Sequence, residues 1–287
     1  MRVKFWGTRG SIPVPGKKTI KYGGNTPCVE VITKSGNIII LDAGSGIRKL
    51  GYELEKSSDK DIKIFISHYH WDHIQGLPFF SPFYQEDNNI TLYGETIEGR
   101  NIENLLKNQM TLDYFPISME NLSANINYKN IEPDKSYKFD GVSITTKLVN
   151  HPTPTLTFKI TENDKSLVYM TDNEIKYNPD SSNIIEYLVK QNKRLIDFCS
   201  GCDYLIHDTM YDEPSIFSKK GWGHSSNYVL AYFAILTKVK NLVLFHYNPD
   251  FSDLKIDALL KETKKIFADE KFRINCIAAK EGLEIEI

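Results

Sequence analysis

Residues 68–73 read His-Tyr-His-Trp-Asp-His, which places three imidazoles and a carboxylate within six positions. Four titratable groups this close have no simple packing role, and imidazole with carboxylate is the donor set that suits zinc and similar divalent ions. With histidine at the first, third and sixth positions and aspartate at the fifth, the donors cannot all face one ion, so the segment reads as shared between two neighbouring metals. Three further candidates lie downstream, His151, Asp172 and His246. Each taken alone would more often be a hydrogen-bonded or solvated side chain.

The stretches before these residues explain how they could meet. Apolar runs rich in β-branched residues cover 62–66, 142–149, 167–170 and 242–245, and they lead into the 68–73 segment, His151, Asp172 and His246 respectively. Side chains delivered from the ends of neighbouring strands converge on one rim of a sheet, a rigid way to build a site. Similar runs at 29–33, 38–41 and 204–206 add strands, while apolar spacing over 102–109, 184–198, 228–237 and 254–268 predicts helices, with Ser225 and Ser226 as N-caps for the third. The pattern predicts an α/β fold with sheets inside and helices outside. No linker-like run or fixed repeat divides the chain, so a single domain over 1–287 is expected.

Composition narrows the partners. The 287 residues carry a formal net charge of -2, which argues against long nucleic acid held by a global basic field and favours a small substrate. Neither a leader-like apolar run in the first twenty residues nor a membrane-length stretch is present, so the expected location is cytoplasmic, away from any membrane. Cys28, Cys199, Cys202 and Cys276 are too few and scattered for a disulfide framework, and Cys199 with Cys202 reads as a pair of packed thiols. The glycine turns at 7–10 and 23–25 are candidate phosphate cradles. Trp71, Phe79, Phe80, Tyr114 and Phe115 are candidates for stacking a base, with core or lid packing as the competing use.

His68-x-His70-x-Asp72-His73, followed by His151, Asp172 and His246, resembles the metallo-β-lactamase superfamily. The resemblance implies an αβ/βα sandwich of two mixed sheets with outer helices and metals at one edge. It also implies that His68, His70 and His151 bind one ion, that Asp72, His73 and His246 bind a second, and that Asp172 bridges them. Zinc is the first expectation for both ions, with manganese or iron accepted by the same ligands.

Within the superfamily the chain is most similar to the phosphodiesterase branch, which includes transfer-RNA 3′-processing endonucleases and phosphoribosyl cyclic phosphodiesterases. Three segments carry this likeness: Phe5-Trp6-Gly7-Thr8-Arg9-Gly10-Ser11-Ile12-Pro13, the 38–46 strand and turn ending Leu41-Asp42-Ala43-Gly44-Ser45-Gly46, and Leu205-Ile206-His207-Asp208-Thr209 with Gly223-His224-Ser225-Ser226. The last pair resembles loops that supply a catalytic histidine. His224 is therefore the expected proton donor, with His207 either supporting the site or satisfied in the core.

The implied reaction is hydrolysis of a small cyclic or short linear phosphodiester by a metal-bridging hydroxide, with Asp72 orienting it or taking its proton. The 20 residues between His151 and Asp172 leave no room for the endonucleases' substrate arm. A thioester or lactam hydrolase and a non-catalytic metal-binding sensor are the competing readings. A homodimer is compatible with the resemblance.

Overall fold

Strand alternation decides which side chains meet in the interior. In β3 (Ile38–Leu41), Ile39 and Leu41 enter one apolar cluster and Ile38 and Ile40 another, because successive residues face opposite sides of a sheet. The same parity holds in β12 (Asn241–Tyr247), where Val243 and Phe245 face one way and Leu242 and Leu244 the other. Strands buried on both faces need a second layer on each side, which sets the architecture.

The computed structural model describes residues 1–139, 141–181 and 183–287. Two seven-stranded mixed sheets are stacked face to face. The first contains β1 (Arg2–Gly7), β2 (Cys28–Ile32), β3, β4 (Asp61–Phe65), β5 (Asn89–Glu95), β6 (Asn125–Ile131) and β14 (Glu284–Glu286), in the order β14-β1-β2-β3-β4-β5-β6. The second contains β7 (Ser136–Phe139), β8 (Val142–Leu148), β9 (Leu156–Glu162), β10 (Lys165–Met170), β11 (Tyr204–Thr209), β12 and β13 (Asn275–Ala278), in the order β13-β12-β11-β10-β9-β8-β7.

Phe5, Val31, Ile39 and Phe65 of the first sheet share one core with Phe158, Tyr169, Ile206 and Phe245 of the second. The outer face of the first sheet is covered by α1 (Ile47–Leu54), α2 (Trp71–Ile74) and α3 (Ile102–Lys107). The outer face of the second is covered by α4 (Ile184–Cys199), α5 (Glu213–Ile216), α6 (Asn227–Thr237) and α7 (Asp253–Asp269). The result is the layered sandwich expected from the sequence.

Local signals account for the helix ends. Ser226 caps α6 by accepting from Val229 N, Asn183 caps α4 through Glu186 N, and Ser252 caps α7 through Lys255 N. Of the two serines expected at the start of α6, Ser226 is the cap, while the Ser225 hydroxyl donates to Asn173 O. Among the described residues no helix is long and apolar enough to cross a membrane. All four cysteines are buried free thiols.

Phe65 lies at the centre of the interior, stacked on Tyr93 at 4.3 Å and edge-on to Phe139 and Phe158. It ends the strand that leads to His68. Phe65→Ala is expected to cost about 3–5 kcal/mol of stability. Equilibrium urea unfolding would register this as a lower midpoint with little change in slope.

Candidate metal centre

The two sheets meet at one edge, and the strand ends there carry the polar residues. The loop after β4 supplies His68, His70, Asp72 and His73, with Asp72 and His73 on the short helix α2. The second sheet supplies His151 beyond β8, Asp172 beyond β10 and His246 within β12. The sheets are joined at this edge, since Leu156 N donates to Ser67 O at 2.9 Å and Tyr247 N to Thr8 O at 3.0 Å.

His246 shows how local backbone re-aims a side chain. By parity it should face α6 and α7 with Leu242 and Leu244. In the β11–β12 ladder, however, Asp208 pairs with Phe245 and Thr209 with Tyr247, so His246 is an extra, bulged residue. Its φ of 56° turns the ring to the seam. Asp42, at φ 60°, and Asp172, at φ 48°, take the same left-handed conformation. Such positions strain a residue with a Cβ and cluster where geometry serves function. Gly10 closes over His246, and a Cβ there would lie 2.5 Å from His246 Cε1.

The predicted donors come together. Ring or carboxylate atoms of His68, His70, His151 and Asp172 lie within 4.8 Å of one another, as do those of Asp72, His73 and His246. Asp172 stands between the sets: its Oδ2 is 3.1 Å from His73 Nε2 and 3.2 Å from His246 Nε2, and its Oδ1 is 3.9 Å from His68 Nε2. A third set within the same distance combines Asp172 and His246 with Asp208 and His224. His70 is the exposed member and opens the cluster to solvent.

Outer partners fix the ring orientations. His73 Nδ1 donates to Asp42 Oδ2 at 2.7 Å, His68 Nδ1 to Ser67 Oγ at 3.1 Å, and His151 Nδ1 to Gly223 O at 3.1 Å. Each leaves Nε2 for the cluster. Asp42 is itself held by the Ser67 amide and hydroxyl and by the Tyr169 hydroxyl. His68 Nε2 and His73 Nε2 are fully buried yet make no hydrogen bond. Buried nitrogens are rarely left so, and a cation among them would satisfy both.

The electrostatics fit the same occupant. Burial, aided by the facing imidazoles, pushes His68 well below the usual imidazole value, and burial lowers His70 and His151 as well. These three are neutral, lone-pair donors. Burial works against the charges of Asp72 and Asp172, but the surrounding histidines outweigh it and hold both carboxylates well below their usual range. His73 is raised well above its ordinary value and His246 to about 10, because neighbouring carboxylates, Asp72 for the former and Asp172 for the latter, overcome burial. The carboxylates that favour positive charge on the second set would equally favour a divalent ion there.

His224 sits against both sets, its ring stacked on His246 at 5.4 Å and edge-on to His151 at 5.4 Å. Its Nδ1 donates to Asp208 Oδ2 at 2.6 Å. His207 lies elsewhere: it is fully buried, Nδ1 donates to its neighbour Asp208 O, and Nε2 accepts from Asn173 Nδ2 at 3.0 Å. Its ring packs on Phe233 of α6, so it braces Asn173 from behind and does not reach the cluster.

Asp42 and Asp208 are the supporting residues that the sequence reading passed over. Each ends or nearly ends an apolar strand, the signal that identified Asp172. The phosphate-cradle reading of the glycine turns is corrected: the amides of Thr8 and Arg9 are spent on Asn25 O, that of Gly10 on Tyr247 O and that of Gly23 on Thr19 O. One backbone donor there does serve the site, since Ser11 N donates to Asp72 Oδ2 at 2.7 Å. Of the aromatic candidates, Phe80 is core, whereas Trp71 and Tyr114 are each 80% exposed.

Comparison with known proteins adds a family and a fold. The family model described as Anti-Pycsar protein Apyc1 matches residues 25–265. Ribonuclease Z of Thermoplasma acidophilum is 27% identical over 94% of this chain and 92% of its own length, and ribonuclease Z of Picrophilus torridus is 27% identical over 93% and 92%. Among solved structures, the metallo-beta-lactamase fold protein YhfI from Bacillus subtilis superposes with a TM-score of 0.71 at 20% identity, covering 100% of this chain and 98% of that one. The short form of human tRNase Z gives 0.65 at 20% identity over 100% and 98%. The two-sheet sandwich is the metallo-β-lactamase fold.

Proposed function

The chain belongs to the Anti-Pycsar protein Apyc1 family, and on that premise we propose that it is a dinuclear metal-dependent phosphodiesterase acting on a small cyclic or short linear phosphodiester. The observation that carries this reading is the pair of donor sets sharing Asp172, with a carboxylate-backed histidine beside them. A single structural ion would need one closed set of four ligands and no such histidine.

His68, His70 and His151 would hold one ion, Asp72, His73 and His246 the other, with Asp172 common to both. Zinc fits the mixture of imidazole and carboxylate, and manganese or iron would fit the same donors. When bound, two such ions supply Lewis acidity, activating water near neutral pH and offsetting charge that builds on the phosphoryl oxygens.

The chain's own residues do the rest. Asp72, fixed by the Ser11 amide, orients the attacking water or takes its proton. As the new phosphorus–oxygen bond forms, the bond to the leaving oxygen breaks and His224 Nε2 gives that oxygen its proton. Asp208 holds His224 by Nδ1, so Nε2 is the nitrogen left to donate. Burial opposes the charged imidazole, but Asp208 outweighs it and keeps His224 above its ordinary value, in the acid form the step requires.

The surroundings of the cluster support a small substrate. The 20 residues between His151 and Asp172 are largely taken up by β9 and β10, paired as a hairpin, with no projecting arm to grip a folded nucleic acid. A cavity of about 370 Å³ lies beside His151, between Asn150, Glu174 and Gly223.

The test is steady-state hydrolysis of cyclic and linear phosphodiesters by zinc-loaded protein, with a thioester and a β-lactam as controls. Turnover confined to phosphodiesters is expected. Turnover of the controls alone would leave the metal cluster and remove the phosphodiesterase reading, and no turnover with two bound ions would favour a sensor.

A further inference from the structure

The four residues after β10 reach both flanks of the cluster, and we propose that Glu174 is a positioning residue that holds His151 and His224 through the loop of residues 221–224. The proposal rests on the metal reading above for its consequence, although not for its geometry.

Glu174 Oε2 accepts from Gly221 N at 2.8 Å and Gly223 N at 3.0 Å. These are charge-assisted bonds from two amides of one short turn, in which both glycines take positive φ, 85° and 84°. The turn so held presents Gly223 O to His151 Nδ1 and is followed directly by His224. A Cβ on Gly223 would lie 2.1 Å from His151 Nδ1, so the loop and the ligand ring are in direct contact.

The rest of the segment is tied to the same place. Glu174 N donates to Asn150 O at 2.8 Å, beside His151, and the Ser225 hydroxyl donates to Asn173 O at 2.6 Å. Asp172 therefore belongs to a stretch whose next residues fix the backbone on each side of it. Trp222, lying between the two tethered glycines, is 57% exposed.

Glu174 touches none of the predicted ligands, so its effect must pass through the loop. Without it, Gly221 and Gly223 lose their acceptor, Gly223 O drifts from His151, and the His224 ring loses one side of its anchorage while Asp208 keeps the other. Removing the outer partner of a metal-binding histidine typically costs about 10- to 100-fold in metal affinity or activity.

The test uses Glu174→Ala and Glu174→Gln, the latter keeping shape and one acceptor oxygen and so guarding against a folding artefact. Amide hydrogen exchange across 219–225 reads the loop, and zinc affinity by chelator competition reads its consequence. Glu174→Ala should exchange faster at Gly221 and Gly223 and bind zinc about 10- to 100-fold more weakly, with Glu174→Gln between it and the unaltered protein. Zinc affinity within twofold of the unaltered protein in both variants would overturn the positioning role. If the unaltered protein bound no zinc, the metal reading would fall, and the exchange comparison would still decide whether Glu174 anchors the loop.

Discussion

Asp172→Asn is expected to abolish turnover and to lower bound metal from two ions per chain to one or none. Asparagine keeps the side-chain shape and tolerates the left-handed backbone at φ 48°, so the change removes charge and little else. That charge is a carboxylate placed between the sets, facing His73, His246 and His68. The loss should exceed the roughly 10- to 100-fold typical of an outer partner, because the residue itself is a predicted ligand of both ions. Metal content by atomic emission, with circular dichroism to verify folding, checks the outcome. A folded variant with two ions and unaltered turnover would remove Asp172 from the centre of the site.

His224→Ala separates proton donation from metal binding. It should lower kcat by about 10²- to 10⁴-fold on an ester with an alkoxide leaving group, the range for a lost general acid. On bis-p-nitrophenyl phosphate the effect should be far smaller, since p-nitrophenolate departs without a proton. The pH profile carries the sign. A donor must be protonated, so activity on the alkyl ester should fall as pH rises through the raised pKa of His224, and that alkaline limb should vanish in the variant. Equal losses on both esters would assign His224 a structural part instead.

The seven ligand candidates were legible because each lies at or just past the end of an apolar strand, a pattern that survives without knowledge of pairing. His224 was legible through the glycine-flanked loop and the resemblance. What the sequence concealed is which neighbour of a strand end faces the seam. His207 and Asp208 are adjacent, and choosing between them needs the parity of β11, in which Ile206 looks into the sandwich and Leu205 toward α6. His246 breaks parity by a bulge that exists only in the ladder with β11.

Two of the elements missing from the sequence reading have similar causes. Strand β6, Asn-Ile-Asn-Tyr-Lys-Asn-Ile, is an edge strand with mostly exposed side chains, so it lacks the apolar run by which β2, β3, β4, β8, β10, β11 and β12 were found. Helix α1 buries Ile47, Leu50, Gly51 and Leu54 at helical spacing, but Gly51 sits where an apolar residue would mark the stripe. A Cβ there would stand 3.0 Å from Ser81 Oγ and 3.1 Å from Phe80 Cδ2, so the helix packs tightly at this point.

The division of the ligands between the sheets gives the cluster a role in assembly as well as in chemistry. Four predicted donors belong to the first half of the chain and three to the second. Neither half can complete either set, since His151 is needed with His68 and His70, and His246 with Asp72 and His73. An ion held by these sets would therefore be bound tightly only once both sheets are in place, and its uptake would report completion of the sandwich.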